Sequence, residues 1–181
     1  MSAILALMAG AKQVYSYEPH PGNAQVYSWN CRGWPATVRQ QAIVADGTSR
    51  STTLYVSRNP KDTWRHTMLP VRDRGRLHIE SVATLDKFIR THATADAIKL
   101  DCEGAELEIL ETVVFPMRIK TLVFEYSFSH DPSVPRFRKI ISRLKASFKW
   151  VHYPPSAMRR PCVDGVYTKY KDRDAVVHCS R

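Results

Sequence analysis

The stretch that most constrains this 181-residue chain is Ile98-Lys99-Leu100-Asp101-Cys102-Glu103-Gly104-Ala105-Glu106. Ala97 to Leu100 reads as a short buried strand. It stops abruptly at three carboxylates within six residues. Gly104 permits a tight backbone turn, and Ala105 to Val114 then reads as a helix ended by Pro116. A buried strand that runs through a sharp acidic turn into a helix is the unit of a sheet covered by helices.

The flanking segments repeat that alternation. Ser2 to Ala9 reads as a short helix and Gln13 to Tyr17 as a strand ending at Glu18-Pro19. Pro21-Gly22-Asn23 opens a helix through about Asn30. Thr37 to Val44 is a second strand, stopped by Asp46-Gly47, and Thr52 to Ser57 a third. Arg58 to Leu77 is irregular and long for a connection, as functional loops often are. Thr84 is placed to cap a helix whose inner face is Leu85, Phe88 and Ile89. Thr121 to Phe128 is a strand. Phe137, Ile140, Ile141, Leu144 and Phe148 form a helical stripe backed by basic residues. Trp150 to Tyr153, Gly165 to Tyr170 and Ala175 to His178 are short strand-like runs, expected as an antiparallel pair at the sheet edge. The fold class is therefore α/β, a mostly parallel sheet with an antiparallel C-terminal edge, in one domain over residues 1–181.

Ligands of such sheets bind beyond the carboxyl ends of the strands, so the residues just after each strand are the candidates. Glu18 follows the first strand, where an acid can accept hydrogen bonds from both ribose hydroxyls of a nucleoside. Gln41 and Ala42 follow the second and could flank an adenine ring. Asp101 and Glu103 follow the buried strand, where carboxylates can orient a hydroxyl or accept its proton. Glu106 sits in the first helical turn and complements the helix dipole. Glu125 lies in the next strand, and His130 is a candidate general base in the loop beyond it.

Length and composition bound the rest. The chain is 44% hydrophobic and 24% charged, enough for an ordinary core. Its four cysteines form no CxxC pair, so neither a zinc site nor a disulfide framework is indicated, and reduced thiols in a cytoplasmic setting are expected. The apolar start, Met1 to Ala9, is far shorter than the ~20 residues of a membrane span. A net charge of +10 favours anionic partners, nucleic acid among them. The aromatic-basic stretches Trp64-Arg65-His66 and Arg136-Phe137-Arg138 would serve an RNA target.

Three segments, in order and spacing, resemble the FkbM family of methyltransferases. They are Ala9 to Pro19 with Asn23 and Asn30 following, Ser81-Val82-Ala83-Thr84-Leu85-Asp86, and Ile98 to Glu106 with Leu107 and Leu110 behind. The likeness covers roughly residues 2–127. It implies a Rossmann-like class I methyltransferase sheet, S-adenosylmethionine as methyl donor, and usually a hydroxyl acceptor on a sugar or other small metabolite. Glu18 matches the ribose-binding acid, Asp101 the acid beside the methyl group, and Glu103 and Glu106 the family's remaining acidic positions. The family pattern begins with a strand ending in an Asp-x-Gly-Ala-Asn-x-Gly-like loop that cradles the methionine part of the cofactor. This chain starts inside the helix that follows, so the expectation is an N-terminally truncated domain without its first strand. Two rival expectations are an RNA-directed methyltransferase and a non-catalytic remnant used as an interaction module. No spacing calls for a metal, although Asp101, Glu103 and Glu125 could share a cation.

Overall fold

The computed structural model describes residues 2–59, 66–68, 70, 74–102, 104–127, 134–153 and 174–181. Helix α1 (Ser2–Met8) leads into β1 (Val14–Tyr17), α2 (Pro21–Asn30) and β2 (Ala36–Arg39). Next come β3 (Ala42–Val44), β4 (Thr52–Val56), β5 (Gly75–Ile79), β6 (Val82–Thr84) and α3 (Leu85–Thr91). The order closes with β7 (Ala97–Leu100), α4 (Glu106–Thr112), β8 (Thr121–Ser127), α5 (Val134–Ser147), β9 (Trp150–His152) and β10 (Asp174–Ser180).

The expected alternation of strands and helices is present, with parallel pairing where the chain crosses over. β1 pairs parallel with β2, Val14 opposite Ala36 and Tyr17 opposite Arg39. β7 pairs parallel with β8, Leu100 opposite Phe124. β3 pairs parallel with β6, while β4 and β5 form an antiparallel hairpin. The ladders are short: the described strands fall into one four-stranded sheet, ordered β7-β8-β10-β9, and three two-stranded sheets.

Two expectations about strands change. The single strand from Thr37 to Val44 is two strands in different sheets, broken at Gln40-Gln41. Ala42 then pairs with Val82 instead of continuing along β1. The C-terminal antiparallel pair exists as β9 and β10, but β10 lies inside the sheet, between β8 and β9, and among the described strands β9 takes the edge. β10 matches β8 over seven residue pairs, so the longer ladder wins the interior place. Gly165 to Tyr170 lies outside the described residues.

Helix ends follow their local chemistry. Thr84 caps α3 as expected, its hydroxyl accepting from the Lys87 N–H at 3.1 Å. Pro21 occupies the start of α2, where its missing N–H costs nothing. Helix α1 ends at Gly10, whose φ of 102° lets Ala11 N–H return to the Ala6 carbonyl and Gly10 N–H to that of Leu7.

The core lies on one face of the β7-β8 pair. Leu122, Phe124 and Tyr126 alternate inward from β8 and are fully buried. Leu107, Ile109 and Leu110 of α4 and Phe137, Ile140, Ile141 and Leu144 of α5 close over them. The stripe expected on α5 is thus the buried face, and Phe137 stacks on Tyr126 with ring centroids 4.9 Å apart. Phe137→Ala removes a fully buried ring, and its cost is set at about 3–5 kcal/mol. A urea titration checks this: the midpoint should fall with the slope unchanged.

Helix α3 joins this core to β1. Leu85 and Ile89 belong to the core cluster with Ile98 and Leu100. On the β1 side, Tyr15 stacks on His92 at 3.8 Å, Tyr17 meets Phe88 edge-on, and the Tyr17 hydroxyl is hydrogen-bonded to His92 Nε2 at 3.0 Å.

Arginines wrap the connection from α4 to β8. Arg143 donates to the carbonyls of Leu110, Glu111 and Val113, and Arg136 grips the Glu111 carboxylate through two nitrogens at 2.9 and 2.8 Å. Arg181 donates to the carbonyls of Phe115, Pro116 and Ile119. Arg118 reaches the Ile89 carbonyl. No helix among the described residues is long and apolar enough to cross a membrane.

Candidate active site

Two strand ends carry the site. At the end of β1, the Glu18 N–H still donates to the Arg39 carbonyl, so this residue is held by the ladder. Its half-buried carboxylate accepts from the His20 N–H at 2.8 Å and is also hydrogen-bonded to the Asn23 side chain. Burial raises its pKa, against the lowering effect of those two donors. A carboxylate has about four lone-pair positions, so two remain for a ligand. His20 turns the chain into α2 and caps it, Nδ1 accepting from the Asn23 N–H.

At the end of β7, Asp101 is exposed and paired with Lys99, two residues back on the same strand face. Exposed pairs of this kind are weak, so Lys99 does not withdraw Asp101 from a substrate. The β7-β8 register sets Leu100 opposite Phe124, which puts Asp101 level with Glu125. Glu125 is half-buried in the middle of β8, on the face opposite Phe124 and Tyr126.

The turn between β7 and α4 is organised by Glu106. Its carboxylate is 1% exposed and folds back over the turn, accepting from the Cys102 N–H at 2.6 Å and the Gly104 N–H at 2.9 Å. Gly104 has φ 112°, a left-handed conformation that side chains rarely adopt. Burial raises the Glu106 pKa to about 7, with the Asp101 charge adding to the rise and the backbone donors opposing it. The expected role of Glu106 at the helix dipole becomes a wider one, because it braces the acidic turn from inside. Burial also pushes the Cys102 thiol up, aided by the charges of Glu106, Asp101 and Glu18. The thiol is therefore protonated at neutral pH. Glu18 is the smallest of the charges acting on Cys102, and the ends of β1 and β7 form the candidate mouth.

The remaining candidates separate from this mouth to different degrees. Gln41 donates its amide to the Ser81 hydroxyl and the Val82 carbonyl, both at 3.0 Å. Ala42 is 1% exposed within β3, so its side chain serves a small core with Leu54 and Ile79. Glu103 and His130 lie outside the described residues. Of the aromatic-basic stretches, Phe137 is buried in the core and Arg136 is paired with Glu111, so neither is presented to a base. Trp64 and Arg65 lie outside the described residues.

Two histidines near the mouth come together without a sequence signal for their pairing, although His66 belongs to one of the aromatic-basic stretches. His66 packs on His20, ring centroids 4.5 Å apart, and its Nδ1 accepts from the Ser57 N–H at 3.4 Å. Nothing in the local pattern around either histidine announces the pairing. Among the described residues no three His, Cys, Asp or Glu side chains are grouped to hold a metal ion.

Acids thus stand at the carboxyl ends of two parallel strands, one of them beside a glycine turn, in a chain of mixed α/β structure. The chain belongs to the FkbM methyltransferase family: the family described as Methyltransferase FkbM domain matches residues 1–149. Methyltransferases of this family generally use S-adenosylmethionine. Neither a curated protein nor a solved structure matches the chain.

Proposed function

We propose that this domain transfers a methyl group from S-adenosylmethionine to a hydroxyl oxygen of a sugar or other small metabolite. The observation that carries the reading is the placing of Glu18 and Asp101 just after the parallel strands β1 and β7, within family membership over residues 1–149. When bound, S-adenosylmethionine supplies an electrophilic methyl group on a sulfonium centre.

The residues present fit such a group at one defined point. Glu18 is held by Asn23 and the His20 N–H and keeps acceptor capacity for two ribose hydroxyls. Gln41 remains the candidate on the adenine side, and buried Ala42 is not carried forward. Asp101, exposed at the strand end, orients the acceptor hydroxyl and takes its proton. Glu103 is the second candidate for that proton. Glu106 holds the backbone of the turn in place, so the acids meet the acceptor already oriented.

Calorimetry with S-adenosylmethionine, followed by transfer of a radiolabelled methyl group to a panel of hydroxyl compounds, tests the reading. Saturable micromolar binding is expected. In Glu18→Ala the affinity should fall by roughly 10- to 100-fold, the worth of a charged hydrogen-bonding pair. Absence of binding in the wild-type protein would favour the non-catalytic remnant instead.

A further inference from the structure

One end of the four-stranded sheet has no part in the roles assigned above. Ala97 of β7 is level with Thr121 of β8, Thr121 with Ser180 of β10, and Ser180 with Trp150 of β9. This row marks the end where β7 and β8 begin. Asp101 follows the opposite end of β7.

Large apolar side chains stand exposed at this end. Val114 and Met117, in the connection from α4 to β8, are 75% and 77% exposed, and Trp150 is 64% exposed. Arg181 links the two groups. Its guanidinium reaches Met117 Sδ and lies over the Phe148 ring, and its chain neighbour Ser180 is the strand partner of Trp150.

Cations surround these side chains. Lys120 precedes β8, Lys145 lies in the last turn of α5, and Lys149 precedes β9. All three are exposed, and among the described residues no carboxylate pairs with them. Lys149 lies over the Trp150 ring, 5.8 Å from its centroid. Arg118, Arg143 and Arg181 add their charge, although carbonyls occupy their donors. Of two acids that flank this end, Glu111 is taken up by Arg136, and Asp96 stands at the head of β7.

Exposed apolar side chains among cations suit the boundary of an anionic bilayer, where the former enter the acyl region and the latter meet headgroups. A single-stranded nucleic acid suits them less. Bases stack on aromatic faces, and Val114 and Met117 offer none. We propose that this end of the domain docks on an anionic lipid surface, with Val114, Met117 and Trp150 entering the interface and Lys120, Lys145 and Lys149 facing the headgroups. Docked in this way, the domain keeps the Asp101 turn at its far end, open to water. The docking stands apart from the methyl-transfer reading.

The test is co-sedimentation of the protein with phosphatidylcholine vesicles, with and without phosphatidylserine. Saturable binding is expected only with phosphatidylserine, and it should weaken as salt rises. Each cation near such a surface contributes about fivefold. The triple variant Lys120→Gln, Lys145→Gln, Lys149→Gln should therefore lose affinity on the order of 100-fold. The double variant Val114→Ser, Met117→Ser should lose roughly tenfold through its apolar area. All five positions are exposed, so both variants should fold, which circular dichroism checks. A labelled single-stranded RNA in the same buffer is the competing probe. Absence of binding to the phosphatidylserine vesicles, unaltered binding in either folded variant, or tighter binding to the RNA than to the vesicles overturns the proposal.

Discussion

Asp101→Asn should lower the rate of methyl transfer by about 10²- to 10⁴-fold, the usual worth of a positioned proton acceptor. The amide keeps the shape of the side chain and removes its basicity. The loss should fall on kcat, because the proton moves during reaction and not during binding. Stability should barely change. Asp101 is exposed at the end of β7, and its pairing with Lys99 is a surface interaction. Lys99→Gln provides the contrast: it breaks the same pair and should leave the rate nearly intact. Equal losses in both variants would assign Asp101 to the ion pair and remove it from proton transfer.

The second large effect concerns stability and pH. Glu106 has its pKa raised by burial from an ordinary 4.5 to about 7. Between those values the folded protein holds a proton that the unfolded chain releases. Stability is therefore full below about pH 4.5, declines as pH rises, and levels off above pH 7. A shift of this size corresponds to about 3 kcal/mol. Glu106→Gln keeps an oxygen for one of the two turn N–H groups and abolishes the titration. Chemical denaturation at a series of pH values should show the slope in the wild-type protein and a flatter profile in the variant. Because the Asp101 charge contributes to the rise, Asp101→Asn should move the wild-type inflection to lower pH. An unchanged slope in Glu106→Gln would show that another group titrates there.

Local chemistry in the sequence located the elements that depend on neighbours a few residues apart. Thr84 capped its helix, the Phe137 to Phe148 stripe turned to the core, and Ala97 to Leu100 formed the strand before the acidic turn. Features governed by distant parts of the chain were harder to read. The run from Thr37 to Val44 looks continuous, yet Val82 to Thr84 draws its second half into another sheet. The insertion of β10 between β8 and β9 depends on pairing across more than forty intervening positions of chain, which no periodicity encodes. The site shows the same division. Asp101 and Glu18 were visible because they directly follow strands. The brace made by Glu106 depends on a side chain folding back over its own turn, and the histidine pair on two segments that meet only in the fold.

The arginines around the α4–β8 connection change the meaning of the chain's basicity. A net charge of +10 invites a polyanion as partner. Yet Arg118, Arg136, Arg143 and Arg181 all point their guanidinium groups at the protein's own carbonyls or at Glu111. Their planar forks hold several backbone oxygens at once, which a lysine ammonium would do poorly. In this region positive charge works as mortar between helix ends and strands. The donor capacity of these four guanidinium groups is taken up inside the fold, while their charge still adds to the field around it.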